Sequence, residues 1–278
     1  MTELQLKDPQ ALYRRWEERQ WSPFGIDLSP DKRQWPRLES AQRELIYFVL
    51  SSLMVAEERI TTKFSGLVST YGSEEEATFL ATQQVDEARH MQFYARFQDE
   101  VVASPAEIAA HVERAREQVS DAFREIFDVA LVDAHEQLVA EPADLGAKVR
   151  FVTLYHLVLE GALGLTSFKF ITDYLNDNGV LPGFVAGYSK VHDDETRHIG
   201  YGVWFLRETV AAHPEQAETV RETLRELLPH VAASLTLPGD GDASGLLGVS
   251  EDDLREFALN GLTRRLAIIG VPIETVLA

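Results

Sequence analysis

The stretch Asp86-Glu87-Ala88-Arg89-His90 occurs a second time as Asp194-Glu195-Thr196-Arg197-His198. Each copy lies inside a long helical pattern, where a Glu and a His three residues apart occupy one face of the helix. A carboxylate and an imidazole on one face form half of a dinuclear metal site, which one more Glu from each of two other helices completes. Of the eight histidines, only His90 and His198 follow a Glu by three positions. The duplication therefore predicts a helical bundle around two metal ions.

Two further glutamates are predicted ligands because each interrupts an apolar helical face. Glu57 falls on the apolar stripe of the first long helical stretch, whereas Glu58 points away from it. Glu160 is the only acid in the nearly all-apolar run 151–165. A buried acid is costly unless it is paired or binds a metal, and for Glu57 a buried ion pair with arginine is the alternative. Order along the chain groups Glu57 with the first motif and Glu160 with the second, as in a pseudo-repeat.

The chemistry of this ligand set favours iron or manganese over structural zinc, because it contains four carboxylates and two imidazoles. Four negative charges balance two divalent ions, and six side chains leave positions open for O2 and a small ligand. Asp86 and Asp194 are predicted acceptors for the second N–H of a ligating histidine, with a solvated side chain as the alternative. Arg89 and Arg197 are either ion-pair partners of these acids or surface residues.

The rest of the 278-residue chain predicts an all-α, ferritin-like four-helix bundle with additional helices, in a single domain spanning residues 1–278. Residues 1–36 are rich in Trp and Pro and are predicted to be irregular. Residues 236–249 are predicted to form a loop before a C-terminal helix. Helices are expected near 38–71, 73–103, 106–140, 143–176, 182–213, 215–235 and after 250.

Composition limits the classes of function. There are 26 Lys plus Arg against 45 Asp plus Glu, and the resulting net charge of −19 disfavours binding to nucleic acid or to an anionic membrane. The absence of cysteine excludes disulfides, thiolate metal sites and a cysteine nucleophile. The N-terminus lacks the features of a signal peptide, and no run of consecutive apolar residues is long enough to span a bilayer. We therefore expect a cytoplasmic protein without stable membrane insertion.

These residues resemble the small-subunit superfamily of ribonucleotide reductase and, within it, the ligand-binding oxidases, which are manganese–iron proteins that bind a long-chain fatty acid. The resemblance runs from Trp21-Ser22-Pro23 to about His230 and rests on the two motifs, Ala56-Glu57-Glu58 and Val158-Leu159-Glu160-Gly161. It implies that Glu57, Glu87 and His90 bind manganese, that Glu160, Glu195 and His198 bind iron, and that Glu87 bridges the two. Two iron ions are the alternative cofactor. The implied partners are O2 and a long-chain fatty acid or similar apolar carboxylate, and we also expect a homodimer.

The same family carries an ether cross-link between a tyrosine and the Cβ of a valine. Tyr155 stands at the matching tyrosine, whereas Ile60 stands at the valine position. Isoleucine keeps a tertiary Cβ–H, so hydrogen abstraction is chemically possible there, but its extra methyl group could block or redirect the reaction. A Tyr155–Ile60 cross-link is therefore one hypothesis, and an ordinary core aromatic at Tyr155 is the other.

Tyr94 supports an alternative function. It lies four residues after His90, on the metal-facing side of its helix, where reductase small subunits hold their radical tyrosine. Against a reductase radical subunit, those proteins need a tyrosine in a flexible C-terminal tail, and the last tyrosine here is Tyr201. A core aromatic is the other interpretation of Tyr94. A third function is a non-catalytic, ferritin-like metal-binding protein, which would oxidise metal but no organic group.

Overall fold

The computed structural model describes residues 6–102, 113, 120–235 and 248–278. The described residues contain helices and no strand, which confirms the all-α prediction. Short 3₁₀ turns at Pro23–Gly25 and Trp35–Arg37 flank the second helix. The helices are α1 (Pro9–Glu18), α2 (Ser29–Gln34), α3 (Ser40–Val68), α4 (Glu74–Phe97, extended by a π-helical turn Gln98–Val102), α5 (Asp121–Arg124, π-helical Glu125–Ala130, Leu131–Ala140), α6 (Leu145–Val152, π-helical Thr153–Gly164, Leu165–Asp177), α7 (Pro182–Ala212), α8 (Gln216–Ser234), α9 (Glu251–Ile269) and α10 (Glu274–Leu277).

Helices α3, α4, α6 and α7 form the bundle that carries both motifs. Helix α3 packs on α4, α6 packs on α7, and α4 contacts α7 across the centre. The start of α4 follows from its sequence, because the Ser73 side chain accepts a hydrogen bond from the Glu76 amide. The start of α7 does not, because its cap is Asp31 of α2, whose carboxylate accepts from the amides of Gly183 and Phe184 at 2.8 and 2.6 Å. A distant segment thus sets where the second motif helix begins.

The prediction of an irregular segment over residues 1–36 is wrong for two stretches. Helix α1 begins where the Asp8 side chain accepts a hydrogen bond from the Ala11 amide, with Pro9 in the first turn. Proline at this position is compatible with a helix because its missing N–H would be unsatisfied there anyway. Helix α2 likewise has Pro30 in its first turn. The prolines that suggested irregular chain are therefore helix starts.

Parts of two other predictions lie outside the described residues. The predicted third stretch, 106–140, is described at residue 113 and over residues 120–140, and it is helical at 113 and from 121 to 140. Its residues 106–112 and 114–119 are not described. The predicted loop at 236–249 falls mostly in residues 236–247, which are likewise outside the described part of the chain.

Helix α6 corrects the prediction that no stretch is apolar enough to span a bilayer. Its 33 residues, Leu145–Asp177, are long and apolar enough by composition to do so. However, 78% of the most apolar window is buried inside the protein. A helix that is apolar on all sides is expected at the centre of a bundle, where every face meets other helices.

Candidate metal centre

All six predicted ligand residues lie together in the core of the bundle. They form two groups in which one ligand atom from each residue lies within 4.8 Å of the others. The first group contains Glu57, Glu87 and His90, and the second contains Glu87, Glu160, Glu195 and His198. All members are buried. Because Glu87 belongs to both groups, its carboxylate is placed to bridge two ions.

The inward-facing atoms of the centre fit metal ions. The Nδ1 atoms of His90 and His198 are buried and make no hydrogen bond. The His90 Nδ1 lies 3.4 Å from both Glu87 Oε2 and Glu195 Oε1, and the His198 Nδ1 lies 3.4 Å from Glu160 Oε1. Buried polar atoms without partners are rare and costly, and ions bound by these oxygens and nitrogens would satisfy them. A set of carboxylates and imidazoles suits manganese or iron.

The electrostatics of the metal-free centre also favour the binding of cations. Burial first, and then the nearby carboxylate charges, raise the pKa of Glu57, Glu160 and Glu195. Burial lowers the pKa of His90 and His198, but hydrogen bonds to acids and the surrounding negative charges outweigh it and raise each pKa well above its usual value. These groups therefore bind protons more tightly than free side chains do, and metal binding would compete with those protons.

Each imidazole is oriented by the aspartate of the other motif. The Nε2 of His90 lies 3.3 Å from Asp194 Oδ2, and the Nε2 of His198 lies 3.2 Å from Asp86 Oδ2. Both aspartates are therefore placed to accept the second N–H of an imidazole, as the sequence predicts. The pairing is crosswise, however, because α4 and α7 face each other across the centre, which the order of residues along the chain does not reveal.

Two tryptophans from the N-terminal segment support these aspartates, and sequence reasoning assigned neither of them to the site. The indole N–H of Trp16 donates to Asp86 Oδ1 at 2.9 Å, and that of Trp21 donates to Asp194 Oδ2 at 2.7 Å. A tryptophan that is largely buried usually finds an acceptor for its N–H. The concentration of tryptophans before the bundle was the available signal, but only the fold shows which acids they meet.

The two motif arginines pair with the acids but in different surroundings. Arg197 is only 2% exposed, and its Nη2 donates to both Asp86 Oδ2, at 3.0 Å, and Asp194 Oδ1. Arg89 donates to Asp86 Oδ1 at 2.7 Å from the outer side, and its guanidinium lies over the rings of Trp16 and Trp21 at 5.9 and 5.7 Å. Both arginines are thus ion-pair partners, and Arg197 is a core residue.

The π-helical segment of α6 turns Tyr155 and Glu160 toward the same centre. In a regular α-helix, residues five apart point about 140° away from each other. In a π-helix the hydrogen bonds join residues five apart, so that such residues lie one turn from each other. The Tyr155 hydroxyl donates to Glu87 Oε1 at 3.0 Å, while Glu160 Oε1 accepts from Gln83 Nε2 at 3.0 Å. Gln83 in turn contacts His156 Nε2 through its Oε1 at 3.2 Å.

A cavity of about 550 Å³ adjoins the centre. Glu57, Glu87, Glu160 and Glu195 form part of its wall. The rest of the wall is mostly apolar and comes from several helices, including Leu53, Phe127, Leu163, Phe168 and Leu254. This volume is typical of a pocket for a small organic ligand. An apolar molecule in this cavity would therefore contact the predicted ligand carboxylates.

The three other predicted site residues also lie at the centre. Ile60 is half-buried, lines the cavity and packs against the core cluster that contains Tyr155. Tyr94 is buried in the cavity wall, and its hydroxyl has no hydrogen-bond partner. The structure therefore brings Tyr155, Ile60 and Tyr94 to the same site, but only Tyr155 contacts a predicted ligand through its hydroxyl.

Known proteins show the same architecture. The sequence model of the family described as ribonucleotide reductase, small chain, matches residues 1–272. One variant of the R2-like ligand-binding oxidase, with anaerobically reconstituted Mn/Fe cofactor, is 24% identical with a TM-score of 0.83, over 95% of this chain and 94% of that chain. A second variant, solved with anaerobically and with aerobically reconstituted Mn/Fe cofactor, is 23% identical with a TM-score of 0.82, over 94% and 93%. These likenesses confirm the ferritin-like helical fold.

Proposed function

The chain belongs to the ribonucleotide reductase small-chain family, and from this membership and the buried cluster we propose that it is a dinuclear metal oxidase that activates O2. The observation that carries the proposal is the pair of ligand groups that share Glu87 and adjoin an apolar cavity. Manganese and iron are the proposed metals, because the solved oxidases of the same fold contain Mn/Fe cofactors. Two iron ions are the alternative.

The residues of the chain have distinct roles in this proposal. When bound, the metal pair supplies the reduction of O2 and the power to abstract hydrogen from a C–H bond. Glu57, Glu87 and His90 hold one ion, and Glu160, Glu195 and His198 hold the other. Asp86 and Asp194 fix the two imidazole rings through their Nε2 atoms. The apolar wall excludes water from the reacting centre.

The proposed ligand is a long-chain fatty acid or a similar apolar carboxylate. A carboxylate would complete the coordination of the metals, and an acyl chain matches the apolar wall that α3 and α6 contribute. Calorimetry of the delipidated, metal-loaded protein with hexadecanoate tests this, with hexadecanol as the uncharged control. Leu53→Trp, which puts a larger side chain into the cavity wall one helical turn before Glu57, is expected to abolish binding. Unchanged binding by that variant would place the ligand elsewhere.

A Tyr155–Ile60 ether cross-link is proposed as a reaction of the centre with O2. The phenolic hydrogen and the Cβ–H of Ile60 are lost, an O–C bond forms, and O2 accepts the two electrons. The expected result of aerobic metal loading is a chain lighter by two hydrogen atoms, with the two peptides linked. Ile60→Leu is the matched control, because leucine has the same volume but no tertiary Cβ–H. An unlinked wild-type Tyr155 peptide contradicts the proposal.

A radical subunit that uses Tyr94 is the second candidate, since its phenol lines the cavity beside the ligands. The Tyr94 hydroxyl has no acceptor for its proton, whereas Tyr155 has Glu87, and this contrast favours the oxidase. A stable tyrosyl-radical EPR signal that disappears in Tyr94→Phe would reverse the ranking.

The central experiment is aerobic reconstitution with manganese and iron, followed by anomalous diffraction and measurement of O2 consumption. The oxidase proposal expects two ions in the six-residue centre and oxidation of an organic group. Metal oxidation alone would instead indicate the non-catalytic, ferritin-like protein. The homodimer and the cytoplasmic location stay predictions, and light scattering after gel filtration tests the first.

A further inference from the structure

The buried tyrosines of the described chain differ in whether a base can accept their proton. Tyr155 donates to Glu87 at 3.0 Å, and Tyr201 donates to Glu76 at 2.6 Å. Three other buried tyrosines have hydroxyls without a hydrogen-bond partner, namely Tyr94, Tyr174 and Tyr188. Oxidation by one electron makes a phenol strongly acidic, so a buried phenol needs a base within hydrogen-bond reach to be oxidised readily. Tyr201 meets this condition and is not one of the six predicted ligands.

A chain of rings joins Tyr201 to the metal centre on one side and to the surface on the other. The ring centroids are 5.1 Å apart for Tyr155 and His156, and 5.3 Å apart for His156 and Tyr201. Tyr201 also lies 6.1 Å from Trp204, which is half-buried. Gly202 makes this packing possible, because a Cβ there would lie 2.3 Å from the His156 Cβ. The chain therefore runs from a residue bonded to Glu87 to a residue that solvent reaches.

The base beside Tyr201 is paired with a buried lysine. Glu76 Oε1 accepts from Lys148 Nζ at 3.0 Å as well as from Tyr201, and Lys148 Nζ also donates to Thr70 O at 2.8 Å. Both charged side chains are buried, at 5% exposure for Glu76 and 7% for Lys148. Burial first, and then the Glu76 charge, raise the pKa of Tyr201 well above its usual value, so its phenol is protonated at rest.

We propose that Tyr201 is a redox-active side chain that supplies one electron to the metal centre through the rings of His156 and Tyr155, with Glu76 as its proton acceptor. This inference rests on the proposed function, since O2 reduced at the centre is the oxidant. Tyr201 loses one electron, and its phenolic proton moves to Glu76 Oε1, which leaves a tyrosyl radical and a neutral carboxylic acid. The electron is consumed in the reduction of O2.

The Tyr201 radical is reduced again by an electron that enters from the protein surface. A soluble one-electron reductant delivers an electron through Trp204, the proton returns from Glu76, and the phenol of Tyr201 is restored. The function of this path is to discharge oxidising equivalents when the cavity holds no oxidisable ligand, which protects the ligands of the centre from oxidation.

The first arm of the test uses the metal-free full chain and so does not depend on the proposed function. Photogenerated ruthenium(III) tris(bipyridine) oxidises the protein from the surface. The background carries Tyr13→Phe, Tyr47→Phe and Tyr71→Phe, because these tyrosines are exposed or half-buried and the Tyr13 hydroxyl donates to Glu17 at 2.6 Å. The expected result is a tyrosyl EPR signal whose hyperfine pattern becomes narrower when the protein is produced with ring-deuterated tyrosine. That signal disappears in Tyr201→Phe, weakens in Trp204→Phe and persists in the matched control Tyr174→Phe. Identical spectra for the parent and Tyr201→Phe overturn the proposal.

The second arm uses the metal-loaded protein, reduced and then mixed with O2 without an organic ligand. Metal oxidation is followed by absorbance, and the radical is followed by freeze-quench EPR. The same Tyr201-dependent signal is expected, together with oxidation products at Trp204 in peptide maps. Metal oxidation without that signal overturns the link between Tyr201 and the centre. Absence of metal oxidation, with the photochemical signal intact, contradicts the proposed function and leaves the redox role of Tyr201 standing.

The role of Glu76 is tested by Glu76→Gln combined with Lys148→Met, which removes both buried charges and keeps a hydrogen-bond acceptor for the phenol. Circular dichroism checks that the protein is folded. A glutamine cannot take the proton, so the photochemical Tyr201 radical is expected to be lost. An undiminished radical in this variant overturns the assignment of Glu76 as the proton acceptor.

Discussion

The two halves of the metal centre have equivalent ligands but different supports. In the first half, Glu57 lies on the regular helix α3, is 8% exposed and accepts no hydrogen bond from the described residues. In the second half, Glu160 lies on the π-helical segment of α6 and accepts a hydrogen bond from Gln83. The arginines differ as well, since Arg197 is buried between two aspartates while Arg89 lies at the rim.

This difference shows that the repeat duplicates the ligands but not their surroundings. The second half is a fixed scaffold, because its glutamate and its arginine are held by buried hydrogen bonds. In the first half, Glu57 lines the cavity and its Oε2 has no hydrogen-bond partner among the described residues, so its carboxylate would be free to move if a ligand occupied the cavity. The asymmetry places the adaptable side of the centre at Glu57.

The largest expected effect is a loss of bound metal on substitution of Glu87, which belongs to both ligand groups. Glu87→Ala removes a ligand from both groups, so both ions are expected to be lost, whereas Glu57→Ala is expected to lose the first ion and keep the second. Inductively coupled plasma mass spectrometry measures the metal content, with Glu58→Ala as the control on the same helix. Equal losses in Glu57→Ala and Glu87→Ala would show that the halves do not load separately.

Substitutions of the two motif arginines test whether the second half of the centre is more rigid than the first. Arg197→Met leaves two buried aspartates without their shared cation, and breaking a buried pair in this way costs about 3–5 kcal/mol of unfolding free energy. Arg89→Met removes a charged hydrogen-bond donor from Asp86, which keeps Arg197 as a cation, so the expected loss is smaller, about 1.5–3 kcal/mol. Urea unfolding of the metal-free proteins measures both. Similar losses would contradict the fixed-scaffold interpretation of the second half.

The crosswise hydrogen bonds predict crossed effects on metal affinity. Asp86→Asn is expected to weaken the ion bound by His198, and Asp194→Asn the ion bound by His90. Loss of such an orienting acceptor typically costs about 10–100-fold in affinity. Competition with a chelator gives the affinities, and anomalous diffraction shows which position empties first. Crosswise support would be refuted if Asp86→Asn weakened the ion bound by His90, or if Asp194→Asn weakened the ion bound by His198.

The smallest expected effect is a dependence of stability on pH. The carboxyl pKa values of Glu57 and Glu160 are raised in the folded chain, as are the pKa values of His90 and His198. Groups with raised pKa values bind protons more tightly when folded, so the metal-free protein is expected to lose stability as pH rises from about 4.5 past neutrality. Metal loading replaces the protons and should reverse the trend. Calorimetric Tm values at several pH values check the sign.

Sequence reasoning located the six candidate ligands because each is marked by local spacing or composition. The Glu-x-x-His pairs occupy one helical face, Glu57 interrupts an apolar stripe, and Glu160 is the lone acid of a buried helix. Helix α1 was not predicted, because the Trp and Pro content of residues 1–36 suggested an irregular segment, whereas Pro9 lies in the first turn of a helix. The family resemblance placed Tyr155 at the site, but the π-helical geometry that turns it toward Glu87 was not predicted, because a π-helix has no simple sequence signature.

The sequence by itself determined the helical bundle, the residues of the candidate dinuclear centre and the exclusion of thiolate chemistry, since helical periodicity and composition are local properties. Only the tertiary structure decided that Asp86 serves His198 and Asp194 serves His90, that Trp16 and Trp21 reach these acids, and that rings connect Tyr201 to the centre. These contacts join residues far apart in the chain. They arise from how whole helices pack, which the spacing within any one helix does not encode.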